Sequence, residues 1–419
     1  MRLADEMTGY APELAQQPAD SRRQVVQRSA MIALIAFLTL IDLFGSQALL
    51  PTLVETYGVS PAAMGFAVNA STIGMAASSL VVAAFARHID RRRGIWVCLV
   101  LLSLPTIGLA FAEDLTTFTL LRVAQGVFMA AAFTLTLTYL SEICTINAIG
   151  GAMAAYITGN VASNLFGRLM ASGLADTLGL TESFLGFAAL NLLGALAAYL
   201  YFGRYSDRGP PPEGGSVVEA WRDHARNSRL WGMIGIGFAL LFVFVATFTY
   251  ANFILASDTF GLPQAAIGLV YFVFAPAIFT TPVAAHAIRR IGARAAFRLG
   301  VLVTFVGLAL LLSTALPLFL LGLALVGAGL FFAQSVATAS VGRTVTHDHA
   351  AANGLYLASY YLGGIMGAWI IGQVFEMAGW NVAVLILLAL TALAGAFSQV
   401  MPAVATAFGT PKSENVTGH

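Results

Sequence analysis

The chain has 419 residues, of which 58% are hydrophobic and only 10% are charged. A soluble globular chain carries about 25% charged residues, so this composition excludes a soluble protein and predicts an all-α membrane protein. The net charge of +1 creates no field that would attract nucleic acid, and the two cysteines match neither a disulfide framework nor a metal site. We therefore expect no nucleic-acid partner, no metal and no cofactor.

The chain begins with a polar N-terminal tail, residues 1–28, that lacks the apolar core of a signal peptide. Twelve apolar segments of helical length follow, and each is long enough to cross a bilayer. They lie at 29–54, 62–86, 94–112, 115–141, 149–174, 181–203, 231–256, 264–286, 295–315, 317–341, 351–375 and 380–406. This pattern predicts twelve transmembrane helices, numbered here as spans 1 to 12.

Lys and Arg lie almost entirely on one side of the predicted membrane. Of the 21 cations, 19 lie in the two tails and in the loops on the same side as the tails, and none lies in the opposite loops. Positively charged loops remain in the cytoplasm. We therefore expect a multi-pass protein of a bacterial inner membrane, with both termini and the linker at 204–229 in the cytoplasm.

Two charged residues lie deep within the predicted spans. Asp42 in span 1 lies about 18 Å from the inner face if the helix enters near Ala30, and Arg122 in span 4 lies about 10 Å from the outer face. In a hydrocarbon core about 30 Å thick, the two depths nearly coincide. Charges at such depth are costly and usually functional. The structural alternatives are that Arg122 binds main-chain carbonyls or Gln47, and that Asp42 only joins helices.

We expect Asp42 to carry the coupled proton, with Arg122 as its conditional partner. An ionised Asp42 would pair with Arg122, whereas protonation or a bound substrate would release Arg122. Arg168, near the outer end of span 5, is a further cation. It either contributes to gating or extends its charged group to the membrane interface.

An internal repeat divides the chain into two halves. YGVSPAAMG at 57–65 returns as FGLPQAAIG at 260–268, and AAYITGNVASNLFG at 154–167 aligns with GLYLASYYLGGIMG at 354–367. We predict six-helix bundles at 29–203 and 230–406, joined by the linker at 204–229, which contains an amphipathic helix, and followed by a tail at 407–419. Such repeats place a substrate site near the midplane between the halves, which rock to alternate access.

The two halves differ in their buried charge. The repeat places Val245 opposite Asp42 and Leu325 opposite Arg122, so only the first half carries charges at this depth. Neutral polar and aromatic side chains from both halves are the candidates for the substrate cavity. These are Gln47, Gln125, Asn160, Asn164, Tyr250, Asn252, Gln334, Tyr356 and Tyr360.

Several motifs resemble those of the major facilitator superfamily, and the resemblance extends over the whole chain. Arg122, with the Gln and Gly that follow at 125 and 126, reproduces the RxxQG pattern of motif B. ARHIDRRRG at 86–94 is similar to motif A, GxxxDRxGRR, and retains Asp90 and Arg91. The equivalent loop of the second half keeps Arg290 but has Arg289 in place of an acid. The resemblance implies two pseudo-symmetric six-helix bundles and a cytoplasmic gate that includes Asp90, Arg91 and Arg290.

TYLSE at 138–142, GNVASNLFGR at 159–168 and LASYYLGG at 357–364 are most similar to the YnfM-like, arabinose-efflux-permease-like branch of drug:proton antiporters. This resemblance implies a transporter that exports a small organic solute and uses the proton gradient as its energy source. We expect it to act as a monomer in the lipid bilayer.

Export has three alternatives: import by symport, an enzyme, and a sensor or scaffold. Span 5 resembles the exporter motif GxxxGPxxGG, but Ser163 and Asn164 replace Gly-Pro and Arg168 replaces the last Gly. A proton symporter that imports a metabolite therefore remains an alternative. The sequence has no HExxH motif, Ser/His/Asp set or Gly-rich phosphate loop, so we do not expect an enzyme. A sensor or scaffold would need a large soluble domain, and the predicted spans leave no room for one.

Overall fold

The computed structural model describes residues 22–85, 89–143, 149–202, 217–224, 226–341, 344 and 349–401. These residues form helices joined by short connections and include no strand. Backbone polar groups must be satisfied within each segment in a bilayer, which makes the helix the expected element for such an apolar chain.

The first half contains eight helices that cover spans 1 to 6. They are α1 (Arg22–Ala48), α2 (Leu50–Tyr57), α3 (Pro61–Asn69), α4 (Ser71–Phe85), α5 (Arg91–Leu109), α6 (Leu115–Ile143), α7 (Ile149–Thr177) and α8 (Leu180–Phe202). α1 and α2 together form span 1. α3 and α4 form span 2, which is interrupted between Asn69 and Ser71.

The second half repeats this arrangement after a short linker helix. The elements are α9 (Val217–His224), α10 (Ser228–Ala256), α11 (Gln264–Val270), a 3-10 helix (Tyr271–Phe279), α12 (Thr280–Ile291), α13 (Ala293–Leu310), α14 (Leu316–Val341), α15 (His349–Phe397) and a 3-10 turn (Ser398–Val400). α9 ends at His224, before the predicted end of the linker at 229, and Asn227 caps the helix that follows. The Asn227 side chain accepts hydrogen bonds from the N–H groups of Arg229 and Leu230.

Twelve spans can be assigned to these elements. Nine helices in the described ranges are long and apolar enough to cross a membrane, and the pair α11–α12, bent by 43°, adds a tenth. α7, with 29 residues, is also long enough to cross. α15 contains two spans, because Gly379 has a positive φ of 78° that divides the helix. The predicted all-α architecture of twelve spans is confirmed.

The repeated sequence signal corresponds to a repeated turn. Gly58 ends α2 with φ of 61°, and Gly261 has φ of 59° at the equivalent place in the second half. This left-handed conformation favours glycine. Pro61 then begins α3, where the side chain of Ser60 accepts a hydrogen bond from the N–H of Ala63 at 3.2 Å.

The packing also follows the repeat. α1 packs along α7 in the first half, and α10 packs along α15 in the second. α5 packs against α6 and α8, as α13 packs against α14 and α15. The two halves meet where α3 and α4 contact α15 and where α7 contacts α11. Residues that face this seam can therefore report on the relative position of the halves.

Close glycine contacts hold span 2 against span 4. A Cβ atom added at Gly126 would lie 1.8 Å from the main-chain oxygen of Ser71, and one added at Gly74 would lie 2.0 Å from that of Val123. Small residues at helix crossings let backbones approach closely in lipid. This contact places Arg122, one turn before Gly126, directly beside the interruption between α3 and α4.

We expect Gly126→Ala to destabilise the protein by at least about 3 kcal/mol, the upper end of typical overpacking costs, because the clash is with backbone. Gly173→Ala is the matched control, since a Cβ there meets nothing within 4 Å. It should be neutral or stabilise by roughly 0.5 kcal/mol. Melting temperatures of the purified proteins would test this pair, and equal values for the two variants would contradict the contact.

Candidate functional site

Arg122 is fully buried and binds the interruption in span 2. Its Nε donates to the main-chain oxygen of Val68 at 2.8 Å, and its Nη2 donates to the Ser71 hydroxyl at 3.2 Å. The interruption exposes a carbonyl that has lost its usual helical partner, and a guanidinium group supplies several donors in a fixed plane. Arg122 therefore stabilises the junction of α3 and α4.

The third nitrogen of Arg122 faces α1. Nη1 donates to the Gln125 side-chain oxygen at 2.6 Å, to the Ser46 hydroxyl at 3.1 Å and to the main-chain oxygen of Asp42 at 3.3 Å. The expected ion pair with the Asp42 carboxyl is therefore not formed in this structure. The reason is geometric: carbonyl, amide and hydroxyl oxygens occupy the donors of Arg122, and the Asp42 carboxyl points elsewhere.

The Asp42 carboxyl points toward α5 and α8. Oδ2 accepts hydrogen bonds from Asn191 at 2.7 Å, Thr106 at 2.8 Å and Gln125 at 3.3 Å. Oδ1 is buried without a hydrogen-bond partner among the described residues. Burial without a paired cation disfavours the charged form of this carboxyl group, whereas the three hydrogen bonds donated to Oδ2 favour it, so its charge is sensitive to small changes in these contacts.

A second polar network forms around Arg168 at the seam between the halves. Nη2 donates to the Gln47 side-chain oxygen at 2.5 Å, and Nε donates to that of Asn164 at 3.0 Å. The guanidinium carbon lies 4.1 Å from the ring centroid of Tyr271, whose hydroxyl donates to Asn252. Arg168 is fully buried, so the alternative in which it extends to the membrane interface does not apply here.

Side-chain amides connect the two halves within this network. Gln47 donates to the Asn69 side-chain oxygen at 2.7 Å, and Asn69 donates to the Thr249 hydroxyl at 3.0 Å. Asn252 returns a hydrogen bond to the main-chain oxygen of Gln47 at 2.9 Å. All four residues are buried, so these bonds close the seam at this level.

Further hydrogen bonds join the halves beyond this network. The Glu376 carboxylate accepts from the N–H of Ala62 at 2.7 Å, and the Gln264 side chain donates to the main-chain oxygen of Ala48 at 2.6 Å. These residues lie on the side of the membrane that the cation pattern predicts to be outside. The structure therefore has the halves joined at that end.

Neighbouring residues link the two networks. On α1, Ser46 accepts from Arg122 while Gln47 accepts from Arg168. At the end of α3, Val68 accepts from Arg122 while Asn69 bonds across the seam. A movement of either short segment would thus change both networks, which connects the acid inside the first half to the closure between halves.

The other cavity candidates are distributed differently. Tyr356 donates to Gln334 at 3.1 Å, and its ring lies 6.4 Å from that of the half-buried Tyr360, so these three form a separate cluster within the second half. Tyr250 is buried and bonds a carbonyl of α15 at 2.5 Å. Asn160 is half-buried, with its side-chain oxygen unpaired. Gln125 belongs to the Arg122 network.

The candidate gating residues lie at helix ends. Asp90 caps α5 and accepts hydrogen bonds from the N–H groups of Arg92 and Arg93 at 3.0 and 3.2 Å. Arg91 donates to a main-chain carbonyl at 2.7 Å. Arg290 is exposed in the last turn of α12. The first residues of motif A, 86–88, lie outside the described residues.

Several residues of these networks were not predicted from the sequence. Thr106 and Asn191 bind Asp42, Asn69 bonds across the seam, and Tyr271 stacks on Arg168. Asn191 and Asn69 each carry a signal, because a lone amide in an apolar span is costly in the same way as a charge. Thr106 and Tyr271 have no comparable signal, since such residues are common in membrane helices.

Comparison with known proteins identifies the family. The sequence profile of the Major Facilitator Superfamily matches residues 32–277 and 251–416. The Escherichia coli K12 inner membrane transport protein YnfM is 26% identical over 377 residues, which cover 88% of this chain and 86% of that protein. The uncharacterised transporter YybF of Bacillus subtilis is 26% identical over 335 residues, which cover 78% of this chain and 81% of that protein.

Solved structures share the fold. A bacterial homolog of the human lysosomal transporter Spinster, in an inward-facing and occupied conformation, has a TM-score of 0.72 at 15% identity and covers 91% of this chain and 97% of its own. The nucleoside transporter NupG has a TM-score of 0.70 at 14% identity and covers 90% and 100%. With its twelve spans in two halves, the chain belongs to the Major Facilitator Superfamily of membrane transporters and is not an enzyme.

Proposed function

We propose that this transporter is a secondary active, proton-coupled exporter of a small organic solute that works by alternating access. The observation that carries the proposal is the link between the two networks. The Asp42 and Arg122 network lies inside the first half, the Arg168 network joins the halves, and adjacent residues of α1 and α3 take part in both. A proton at Asp42 can thereby bias the closure of the seam.

The coupling acts through the charge of Asp42. When its carboxyl is neutral, the donors of Arg122 stay on Val68, Ser46 and Ser71. When the proton leaves, the carboxylate attracts the guanidinium group, which is already bonded to the Asp42 main chain. That movement releases the end of α3 and the adjoining turn of α1, and the hydrogen bonds across the seam weaken.

The orientation that we propose, with both termini in the cytoplasm, is supported by the cation pattern. YnfM is named as an inner membrane protein, and we propose the same membrane for this chain. A cysteine introduced at Ser413 should react with a membrane-impermeant reagent only after the cells are opened. If the cysteine is labelled in intact cells, the C-terminus lies outside and the proposed orientation is wrong.

Import in symport with protons is the second candidate function. α7 favours it, since Ser163 and Asn164 stand where exporters have Gly-Pro, and Arg168 occupies the seam instead of a glycine. The two functions differ only in the direction of solute movement relative to the proton gradient. The structure of the networks is compatible with both.

Transport by the purified protein in liposomes decides between these functions. A panel of organic anions, cations, zwitterions and sugars would be tested under an imposed pH gradient, with protein-free liposomes as the control. Export predicts that solute and protons move in opposite directions, whereas symport predicts the same direction. Solute movement that ignores the pH gradient would contradict proton coupling altogether.

We expect Asp90→Asn to slow turnover and favour the inward-facing state without a large change in substrate affinity. Asparagine caps helices as well as aspartate does, so α5 should remain intact while the charge of the cytoplasmic gate is lost. Spin labels on the two halves would report the conformational shift, and equilibrium binding would report affinity. A large loss of binding without a conformational shift would assign Asp90 to the substrate site instead.

A further inference from the structure

Two buried donors on α7 have no hydrogen-bond partner among the residues that the structure describes. Nη1 of Arg168 and Nδ2 of Asn164 are both buried and unpaired, and neither residue is exposed to solvent. They lie four residues apart, so they occupy adjacent turns on one face of the helix. Buried donors are nearly always satisfied in folded proteins, and two unpaired donors side by side define a place for an acceptor.

The buried charges of the described spans do not balance. The acid is Asp42 and the guanidinium groups are those of Arg122 and Arg168. Among the described residues, the polar groups around Arg168 are neutral: it donates to the side-chain oxygens of Gln47 and Asn164 and lies beside the Tyr271 hydroxyl. An unpaired buried charge is strongly unfavourable, so a single bound anion would neutralise Arg168 and stabilise the site.

The surroundings of Arg168 are aromatic. Its guanidinium carbon lies 4.1 Å from the ring centroid of Tyr271, 5.6 Å from that of Phe274, 5.8 Å from that of Phe44 and 5.9 Å from that of Phe248. Rings at this distance attract a cation, but this attraction does not replace a negative partner. They also form apolar walls that would contact the body of a ligand whose charged end binds Arg168.

We propose that Arg168 and Asn164 bind the carboxylate of an organic monoanion with an apolar or aromatic body. Nη1 of Arg168 and Nδ2 of Asn164 each donate to a carboxylate oxygen, and the rings contact the rest of the molecule. Tyr271, Phe248 and Phe274 come from the second half, so their separation from Arg168 opens the site between the halves. This inference rests on the proposed transport function and names its substrate class.

The test measures ligand-induced thermal stabilisation of the full-length protein in nanodiscs. Phenylacetate, 3-phenylpropionate and 1-naphthoate would be compared with their primary amides, which have the same bodies without the charge. We expect the carboxylates to raise the melting temperature and the amides to have no effect. Arg168→Gln should weaken carboxylate binding at least roughly tenfold, the effect of losing a charge-assisted hydrogen bond.

A second variant keeps the proposal testable if Arg168→Gln does not fold. Asn164→Asp places a carboxylate of the protein beside Arg168 and so fills the site from within. We expect it to raise the melting temperature without ligand and to abolish the response to the carboxylates. A lower melting temperature together with an unchanged response to the carboxylates would overturn the proposal.

Three other results would also overturn it. These are equal stabilisation by the amides, an unchanged response of Arg168→Gln, and equal stabilisation by chloride or inorganic phosphate. Nanodiscs of phosphatidylcholine alone would be compared with nanodiscs that also contain phosphatidylglycerol, to distinguish a bound solute from a bound lipid headgroup. If phosphatidylglycerol raises the melting temperature and the carboxylates do not displace it, the site binds the lipid and not the solute. The assay uses no gradient and no transport, so a failure of proton coupling would leave its outcome unaffected.

Discussion

Asp42→Asn is expected to abolish solute movement driven by a pH gradient, down to the rate of protein-free liposomes. Asn resembles the neutral acid in shape, and its side-chain oxygen can still accept from Thr106 and Asn191. The variant should therefore fold. It cannot become an anion, so it cannot draw Arg122 away from the end of α3 when the pH rises.

The same variant should still bind substrate, and its affinity should become nearly independent of pH. In the wild type, the proton and the substrate are linked, so the affinity for one depends on the occupancy of the other. Binding measured across pH on the purified protein, next to transport in liposomes, separates the two effects. If Asp42→Asn still accumulates or expels solute against its gradient, the proton carrier is another residue.

The matched control is Asp114→Asn. Asp114 is an exposed acid at the start of α6, where hydrogen bonds from the Thr117 hydroxyl at 2.6 Å and N–H at 2.9 Å lower its pKa. Asn keeps this cap and removes one acid from the protein surface. Transport driven by the pH gradient should be unchanged, which distinguishes the loss of Asp42 from a general effect of charge.

Arg122→Gln is expected to destabilise the folded protein by several kcal/mol, because each buried acceptor left without a donor costs about 1 to 3 kcal/mol. The loss follows from the acceptors left behind, above all the main-chain oxygen of Val68 and the hydroxyl groups of Ser46 and Ser71. Unfolding of the purified protein would measure it. Arg229→Gln, at an exposed position in the first turn of α10, serves as the control and should be nearly neutral.

A double-mutant cycle with Asp42→Asn tests whether the two charges interact, as the proposed mechanism requires. At low pH, Asp42 is neutral and the cycle should show little interaction energy. At high pH, the Asp42 carboxylate and the Arg122 guanidinium group attract each other, so the cycle should show a clear interaction energy. Arg122→Gln alone then leaves the carboxylate without its cation, and the double variant should be more stable than this single variant. An interaction energy that is the same at both pH values would mean that Arg122 acts only as a structural ligand of main-chain carbonyls.

The sequence by itself determined which segments form the spans, and it predicted the depth of their residues in the membrane. Hydropathy gave the spans, the repeat divided them into halves, and a rise of about 1.5 Å per residue placed Asp42 and Arg122 at similar depths. Cation counts added an expected orientation. These are one-dimensional properties, and they follow from residue order because the bilayer itself sets the reference axis.

The tertiary structure alone decided which way the buried groups face. Asp42 turns toward Thr106 and Asn191 instead of Arg122, and Arg168 lies between the halves instead of at the membrane interface. In a soluble protein, the polar face of a helix reveals its orientation. Here the lipid-facing and buried faces are both apolar, so the pattern carries no information about rotation around the helix axis, and only packing against neighbouring helices specifies it.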